Sequence, residues 1–389
     1  MRYRFEPYCV QNPIAYDAGD TVSFSLRLVD SEGNPETCHT IFWRMKADGA
    51  PALERTLPGN EATGFTCAIR TVQPGYIRLY AAAYDEGGEL LAEYKDGAIA
   101  SLYAIESAGQ EPPEFDAYWT TAMNEIQAAP LQTAERILVY PEHETHAIWD
   151  VKIPMPAGRP MSGYLCIPHG AAAHSLPAMA VFVGYGVASC PLMDLYPDRI
   201  TLIVNSHGLP NGCLPAFYEE LKNGELRDFA FSNPQDGELM RQMIQRDVVG
   251  ARFLRTLPEW NGRELVAQGG SMGAMQAAAV AALSGVVTRL CIDIPWMTDI
   301  AGEALGRERG WLPAATPLKS MYDTIHMARR ITCPVDITAG LADEVCPPSG
   351  AAALFNALSV SRSLTYCPRR GHADSIGGDN ARYGVFVCL

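Results

Sequence analysis

The sequence predicts a chain of two parts, an all-β sandwich followed by an α/β unit built on a parallel sheet. Three observations carry this. In the first hundred residues, short runs of alternating apolar and polar side chains are broken by turn signals. Beyond a Pro/Gly-rich stretch, apolar strand-like runs alternate with helical patterns. Finally, ELVAQGGSMGAMQAAAVAALSG reads as strand, tight turn and helix around Ser271.

In the first part, DTVSFSLRLVD places Val22, Phe24, Leu26 and Leu28 on one side and Thr21, Ser23, Ser25 and Arg27 on the other. This period of two marks a half-buried strand. CHTIFWRMK, GFTCAIRTV, GYIRLYAAAYD and ELLAEYKDG read as further strands, separated by SEGNP, DGAP, PGN, QPG and DEGG. Such spacing predicts an immunoglobulin-like sandwich over residues 1–105. Its expected role is structural or oligomer contact, ahead of sugar binding. ESAGQEPPEF supplies a linker at 106–114, and the α/β unit takes 115–389. A chain starting near Glu111 is therefore expected to fold by itself.

In the second part, FDAYWTTAMNEIQAA reads as an amphipathic helix, and EHETH, with His143 and His146, as a surface loop. LPAMAVFVGYG and RITLIVNSHG are apolar strands ending in glycine turns, and GELMRQMIQRDVVGARFLRTL is a long helix. After the Ser271 segment come a strand at VTRLCIDIP, helical stretches to Arg330, a strand at CPVDITAGL, a helix at SGAAALFNAL and a last strand at SLTYCP.

A serine flanked by glycines, between a strand and an uncharged helix, has the arrangement of a nucleophile elbow. The turn is so sharp that its neighbours must be small. It lifts the hydroxyl above the sheet and aims helix N–H groups at the reacting centre. On a parallel sheet it points to the α/β-hydrolase fold, with chain order Ser, acid, His. Of eight histidines, only His326 and His372 follow Ser271. His326 lies mid-helix by pattern, whereas His372 lies in PRRGHADSIGG, a loop after the last strand, and is the expected base. Asp343, in the turn-rich GLADEVCPPS, is favoured as the orienting acid over Asp293, which ends an earlier strand. Glu344 is expected to point elsewhere. The N–H groups of Met272 and of Tyr185, in VFVGYG, are the expected oxyanion donors.

A net charge of −14 with a pI of about 5.0 argues against nucleic acid or anionic membrane as a partner. No unbroken apolar stretch is long enough to span a bilayer, and MRYRFEPYCV has no signal-peptide core. Eleven cysteines without a C-x-x-C read as reduced thiols, so a cytoplasmic location is expected. Neither a metal nor an organic cofactor is expected.

Several stretches, in order, resemble the acetyl xylan esterase/cephalosporin C deacetylase family, carbohydrate esterase family seven. They are EFDAYW, MSGYLCIP with LPAMAVFVGYG, RDVVGARFLRTLPEWNGRELVAQGGSMG, IDIPWMTDI, ITCPVDITAGLADEVCPPSG and RRGHADS. The resemblance covers roughly residues 112–389 and leaves the first hundred as an addition. It implies Ser271 as nucleophile, Asp343 as acid, His372 as base, and acetyl-ester hydrolysis on small or oligomeric sugars by a ring-shaped homo-oligomer. The chain departs from the family at four places. Ser206-His207-Gly208 stands for the R-G-Q turn, Met272 for the elbow glutamine, Val183 for the histidine before G-Y-G, and Ala373 for the glutamate after the catalytic histidine.

The expected function is a serine esterase that deacetylates carbohydrates through an acyl-enzyme. Its substrate is a small-molecule or oligosaccharide ester. Trp296 and Met297, with Met272 and Tyr185, are expected to wall a small acyl pocket, and His207 to face the substrate. Two other readings stay open: an oligopeptidase-type serine peptidase, and a non-catalytic carbohydrate-binding protein with an idle triad.

Overall fold

The computed structural model of the chain describes residues 2–9, 11–192, 195–230, 234–374 and 381–389. Part of the expected histidine loop, 375–380, lies outside the described residues. The first hundred residues form β1 (Tyr3–Cys9), β2 (Thr21–Asp30), β3 (Thr40–Ala47), β4 (Leu53–Pro58), β5 (Phe65–Arg70), β6 (Gly75–Tyr84) and β7 (Leu90–Ala100). They make two antiparallel sheets, ordered β1-β2-β5 and β4-β3-β6-β7. Val22, Leu26 and Leu28 are fully buried, as the alternation in β2 requires. The inner faces meet in an all-apolar core that includes Phe5, Ile41, Met45, Phe65 and Leu79.

The second part begins with α1 (Phe115–Glu125), β8 (Glu135–Leu138), β9 (His146–Ile153), β10 (Met161–Pro168), β11 (Leu176–Phe182) and β12 (Ile200–Asn205). It continues with α2 (Pro215–Asn223), α3 (Pro234–Leu254), β13 (Trp260–Gly270), α4 (Met272–Leu283) and β14 (Arg289–Asp293). It closes with α5 (Pro317–Ser320), α6 (Thr324–Ala328), β15 (Val335–Gly340), α7 (Pro348–Ala357), β16 (Arg362–Cys367) and β17 (Tyr383–Val387). One sheet holds all these strands in the order β17-β16-β15-β14-β13-β11-β12-β10-β9-β8. From β12 to β16 neighbours are parallel, while β10 and β17 run antiparallel to them.

The chain moves outward from β11 to β12, then returns to lay β13 on the other side of β11. Strand order therefore reverses at β11, and the ends of β11 and β13 stand side by side, Phe182 opposite Gly269. A crevice at such a switch point is where ligands bind in open α/β sheets. This α/β arrangement, with an elbow serine after β13, is of the α/β-hydrolase type.

Five strands had no sequence expectation: β1, β4, β8, β9 and β17. His146, expected in a surface loop, is instead buried at the start of β9, with Nε2 against the Tyr196 carbonyl at 3.1 Å. The EHETH pattern hid it because the strand's apolar alternation begins only after this residue.

The two parts share apolar packing. Tyr76, Ile99, Leu102 and Ile105 belong to the core of the α/β unit. The Tyr76 hydroxyl donates to the Leu341 carbonyl at 2.6 Å, and a Cβ on Gly97 would lie 2.6 Å from the same oxygen. Buried Asp48 accepts from the N–H groups of Tyr76 at 2.8 Å and Glu308 at 3.3 Å. Burial outweighs these bonds and raises its carboxyl to about 6. Among the described residues, no helix is long and apolar enough to cross a membrane.

Candidate active site

Ser271 stands between β13 and α4 with φ 55° and ψ −122°, a conformation L-residues rarely adopt. The surrounding glycines explain how the chain holds it. A Cβ on Gly269 would lie 2.1 Å from the Gly273 carbonyl oxygen, and one on Gly273 would lie 2.1 Å from the Phe182 oxygen. Only hydrogen fits at either place. The Ser271 N–H donates to the Asp293 carbonyl at 3.0 Å, and its own carbonyl accepts from Trp296 at 3.2 Å. Strand β14 and the segment after it thus clamp the strained residue from both sides.

The Ser271 hydroxyl meets His372 Nε2 at 3.0 Å. His372 Nδ1 lies 2.9 Å from Asp343 Oδ2 and 3.2 Å from Oδ1. Asp343 is 1% exposed, and its Oδ1 also accepts from the N–H groups of Val345 at 2.8 Å and Cys346 at 2.9 Å. With Nδ1–H bound to the carboxylate, Nε2 is left as an acceptor for the serine proton. The three residues expected from chain order and loop position are therefore brought into one chain of hydrogen bonds.

The competing acid is engaged elsewhere. Arg370 forms a two-pronged ion pair with Asp293, both bonds 2.6 Å long. Glu344 turns away to Arg78 and Lys95 of the sandwich. Asp343, Cys346 and His372 place three metal-ligand atoms within 4.8 Å of one another. Burial, with the charge of Asp343, pushes the Cys346 thiol well up, against an opposing hydrogen bond with Ser271. A thiol kept protonated is a poor metal ligand, and His372 Nε2 is already turned to Ser271, so the set suits proton transfer.

The turn after β11 also reaches the serine. The missing Cβ of Gly184 faces the Gly270 oxygen at 3.6 Å and Ser271 Cβ at 3.9 Å. Gln276 Nε2 donates to the Val183 carbonyl at 2.9 Å, and His207 Nε2 donates to that of Gly186 at 3.1 Å. The Tyr185 ring stacks on Phe229 at 5.0 Å. Tyr185 and Met272, the first residue of α4, thus flank the elbow; N–H groups in the first helical turn have no partner within the helix. A cavity of about 240 Å³ opens here, lined by Tyr185, Met243, Met272 and His207 among others.

Trp296 and Met297 do not line this cavity. Met297 is fully buried, and Trp296 is 3% exposed with its indole N–H on the Trp311 carbonyl at 3.1 Å. Their bulk goes into the core. His207 is nearly buried and packs edge-on against Phe229 at 4.4 Å. Burial lowers its pKa to about 4, so the ring is neutral at pH 7 and holds the turn by its N–H.

Sequence reasoning missed a polar network behind this turn. The Ser206 hydroxyl donates to Asp247 Oδ1 at 2.7 Å and meets Gln276 Oε1. The other oxygen of Asp247 has no partner among the described residues, and burial raises the carboxyl to about 8. Two guanidiniums reach Ser206-His207-Gly208: Arg246 of α3 donates to the Ser206 carbonyl at 3.1 Å and Arg159 to the His207 carbonyl at 3.5 Å. The available signal was a single polar residue, Gln276, in an otherwise apolar helix.

Comparison with known proteins finds acetyl esterases. The acetyl xylan esterase (AXE1) family model matches residues 315–387, the stretch that carries Asp343 and His372. The acetyl esterase Axe7A of Xylanibacter ruminicola is 26% identical over 283 residues, 68% of this chain and 64% of that protein. The chain thus spans less than two thirds of that relative's length. Among solved structures, acetyl xylan esterase 1 from a Thermoanaerobacterium species superposes with a TM-score of 0.54 at 19% identity, over 71% of this chain and 93% of that one. The acetyl xylan esterase of a Paenibacillus species gives 0.56 at 20% identity, over 70% and 94%. The resemblance read from the motifs is borne out, and the structural matches carry the shared fold.

Proposed function

We propose that the protein is a serine esterase that removes acetyl groups from carbohydrates, with Ser271 as nucleophile, His372 as base and Asp343 as orienting acid. The observation that carries this reading is the Asp343–His372–Ser271 relay mounted on a strained elbow. The similarity to acetyl esterases supports the acyl group and the sugar.

In the first half-reaction, Ser271 Oγ bonds to the ester carbonyl carbon while its proton passes to His372 Nε2. The carbonyl oxygen becomes an oxyanion, which the N–H groups of Met272 and Tyr185 would stabilise. The carbon–oxygen bond to the sugar then breaks, and His372 returns the proton to the departing sugar oxygen. Water, deprotonated by His372, next attacks the acetyl-serine, releases acetate and restores the hydroxyl. Asp343 fixes the imidazole and offsets its positive charge.

The proposed organisation is an immunoglobulin-like sandwich at 1–105, a linker at 106–114 and a catalytic unit at 115–389. Two antiparallel sheets around one apolar core support the first assignment. All eleven cysteines are free thiols, which supports a reducing compartment.

Acetate release from acetylated xylo-oligosaccharides, alongside p-nitrophenyl acetate and a peptide nitroanilide, tests the reading. Wild type is expected to use both esters and Ser271→Ala neither. Preferential cleavage of the peptide would replace this reading with a peptidase. Inertness towards all three would favour a binding protein.

A further inference from the structure

The outer face of the four-stranded sheet adjoins the candidate site. In β3, Ile41, Trp43 and Met45 point into the sandwich, so Phe42, Arg44 and Lys46 point out. Pairing sets Arg44 opposite Tyr80 and Tyr80 opposite Lys95, a row across three strands. The next row, Lys46 and Arg78, faces Glu308 of the α/β unit. A hollow of about 430 Å³ lies over these rows. A second, of about 540 Å³, has His372 among its lining residues. Glu93, Lys95 and Glu344 line both, so the two form one trough from His372 out over the sheet.

We infer that this trough holds the sugar chain of the ester substrate, so that the sandwich supplies the subsites on the leaving-group side. The inference rests on the esterase reading above. His372 must give its proton to the departing sugar oxygen, which places the leaving sugar beside His372. His372 lines the trough and is absent from the lining of the cavity at Tyr185 and Met272.

The chemistry of the floor selects a neutral, hydroxyl-rich ligand. Each cation of the sheet face has an acidic partner: Arg44 with Glu54, Lys46 with Glu308, Arg78 with Glu308 and Glu344, and Lys95 with Glu93. On that face four cations meet four carboxylates, which leaves no excess charge to attract an anion. Paired charges nonetheless keep donors and acceptors in reach of vicinal hydroxyls. Phe42 and Tyr80, 6.4 Å apart, add apolar ring faces against which a sugar's C–H face packs. An apolar surface with a few convergent polar groups is the usual make-up of a small-ligand site.

The test compares kcat/KM for acetylated xylohexaose with that for p-nitrophenyl acetate, in wild type, Tyr80→Ala and Arg44→Ala. Arg44 is half exposed and outside the core, so its variant covers the event that Tyr80→Ala misfolds. The ratio is expected to fall about tenfold in each folded variant, as when an aromatic or arginine anchor is truncated. A ratio within twofold of wild type in both would overturn the inference while leaving the esterase reading intact. If wild type turns over p-nitrophenyl acetate but releases no acetate from any sugar ester, the carbohydrate reading itself fails.

Discussion

Arg370 grips Asp293 with both terminal nitrogens at 2.6 Å, two residues before His372. The Asp293 carbonyl meanwhile accepts the Ser271 N–H. One residue therefore anchors the elbow through its backbone and the histidine loop through its side chain. Asp343 instead binds the imidazole directly. The two aspartates separate by role: Asp343→Asn is expected to lower kcat by orders of magnitude, about 10³-fold or more, through the wrong imidazole tautomer. Asp293→Asn leaves the relay in place but strips a buried arginine of its partner, costing about 3 kcal/mol of stability. Urea unfolding and kcat measured on both variants check this; loss of activity in Asp293→Asn alone would reverse the assignment.

The glycines around the serine are not equivalent. Gly273→Ala forces a Cβ to within 2.1 Å of the Phe182 oxygen, while Gly184→Ala makes only ordinary contacts at 3.6 and 3.9 Å. Gly273→Ala is expected to cost more than about 4 kcal/mol or to prevent folding, and Gly184→Ala less than about 1 kcal/mol. Thermal unfolding of the two variants decides it.

Asp247 gives a pH signature. Its carboxyl is raised to about 8 in the fold, against 3.8 when unperturbed. Folded protein therefore keeps a proton that the unfolded chain loses above about pH 4. Its contribution to stability is full below that pH and drains away as pH rises towards 8. Asp247→Asn removes the dependence, so the melting temperature of the variant relative to wild type should climb between pH 5 and pH 8. A constant difference across that range would show that the carboxyl titrates normally.

The sandwich is expected to be needed by the catalytic unit. A chain starting near Glu111 loses Tyr76, Ile99, Leu102 and Ile105 from the shared core, and the Tyr76 bond to Leu341, two residues before Asp343. Such a chain is expected to aggregate or to lose most of its activity. Tyr76→Phe in the full chain should cost about 1 kcal/mol. Full activity in the short chain would show the two parts to be independent.

Much of this was legible in the sequence because local chemistry dictates it. Strain at Ser271 demands small neighbours, so the elbow shows in five residues, and a base hung over the sheet edge must follow the last parallel strand. What stayed hidden is long-range. The Arg370–Asp293 pair spans 77 positions and the Tyr76–Leu341 bond 265, with no local mark on either residue. Linker composition at 106–114 suggested separable parts, yet buried Ile105 joins the α/β core and Glu111 pairs with Arg330. Trp296 and Met297 lay near the elbow in sequence, but the irregular segment after β14 buries them in the interior.

Chain-length preference follows from the cavity beside Tyr185. At about 240 Å³ it suits a short acyl group. Acetyl esters are expected to exceed butyryl esters by about tenfold in kcat/KM, the scale on which pockets discriminate methylenes. A rate maximum at butyrate or longer, in a series of p-nitrophenyl esters, would refute a deacetylase.

Everything proposed for the site turns on Ser271, which is expected to carry the acyl group. The direct measurement is intact and peptide mass spectrometry of protein quenched within one turnover of p-nitrophenyl acetate. One acetyl group is expected on the peptide containing Ser271, absent in Ser271→Ala. Turnover by Ser271→Ala at the wild-type rate, or acetylation confined to another residue, would contradict it.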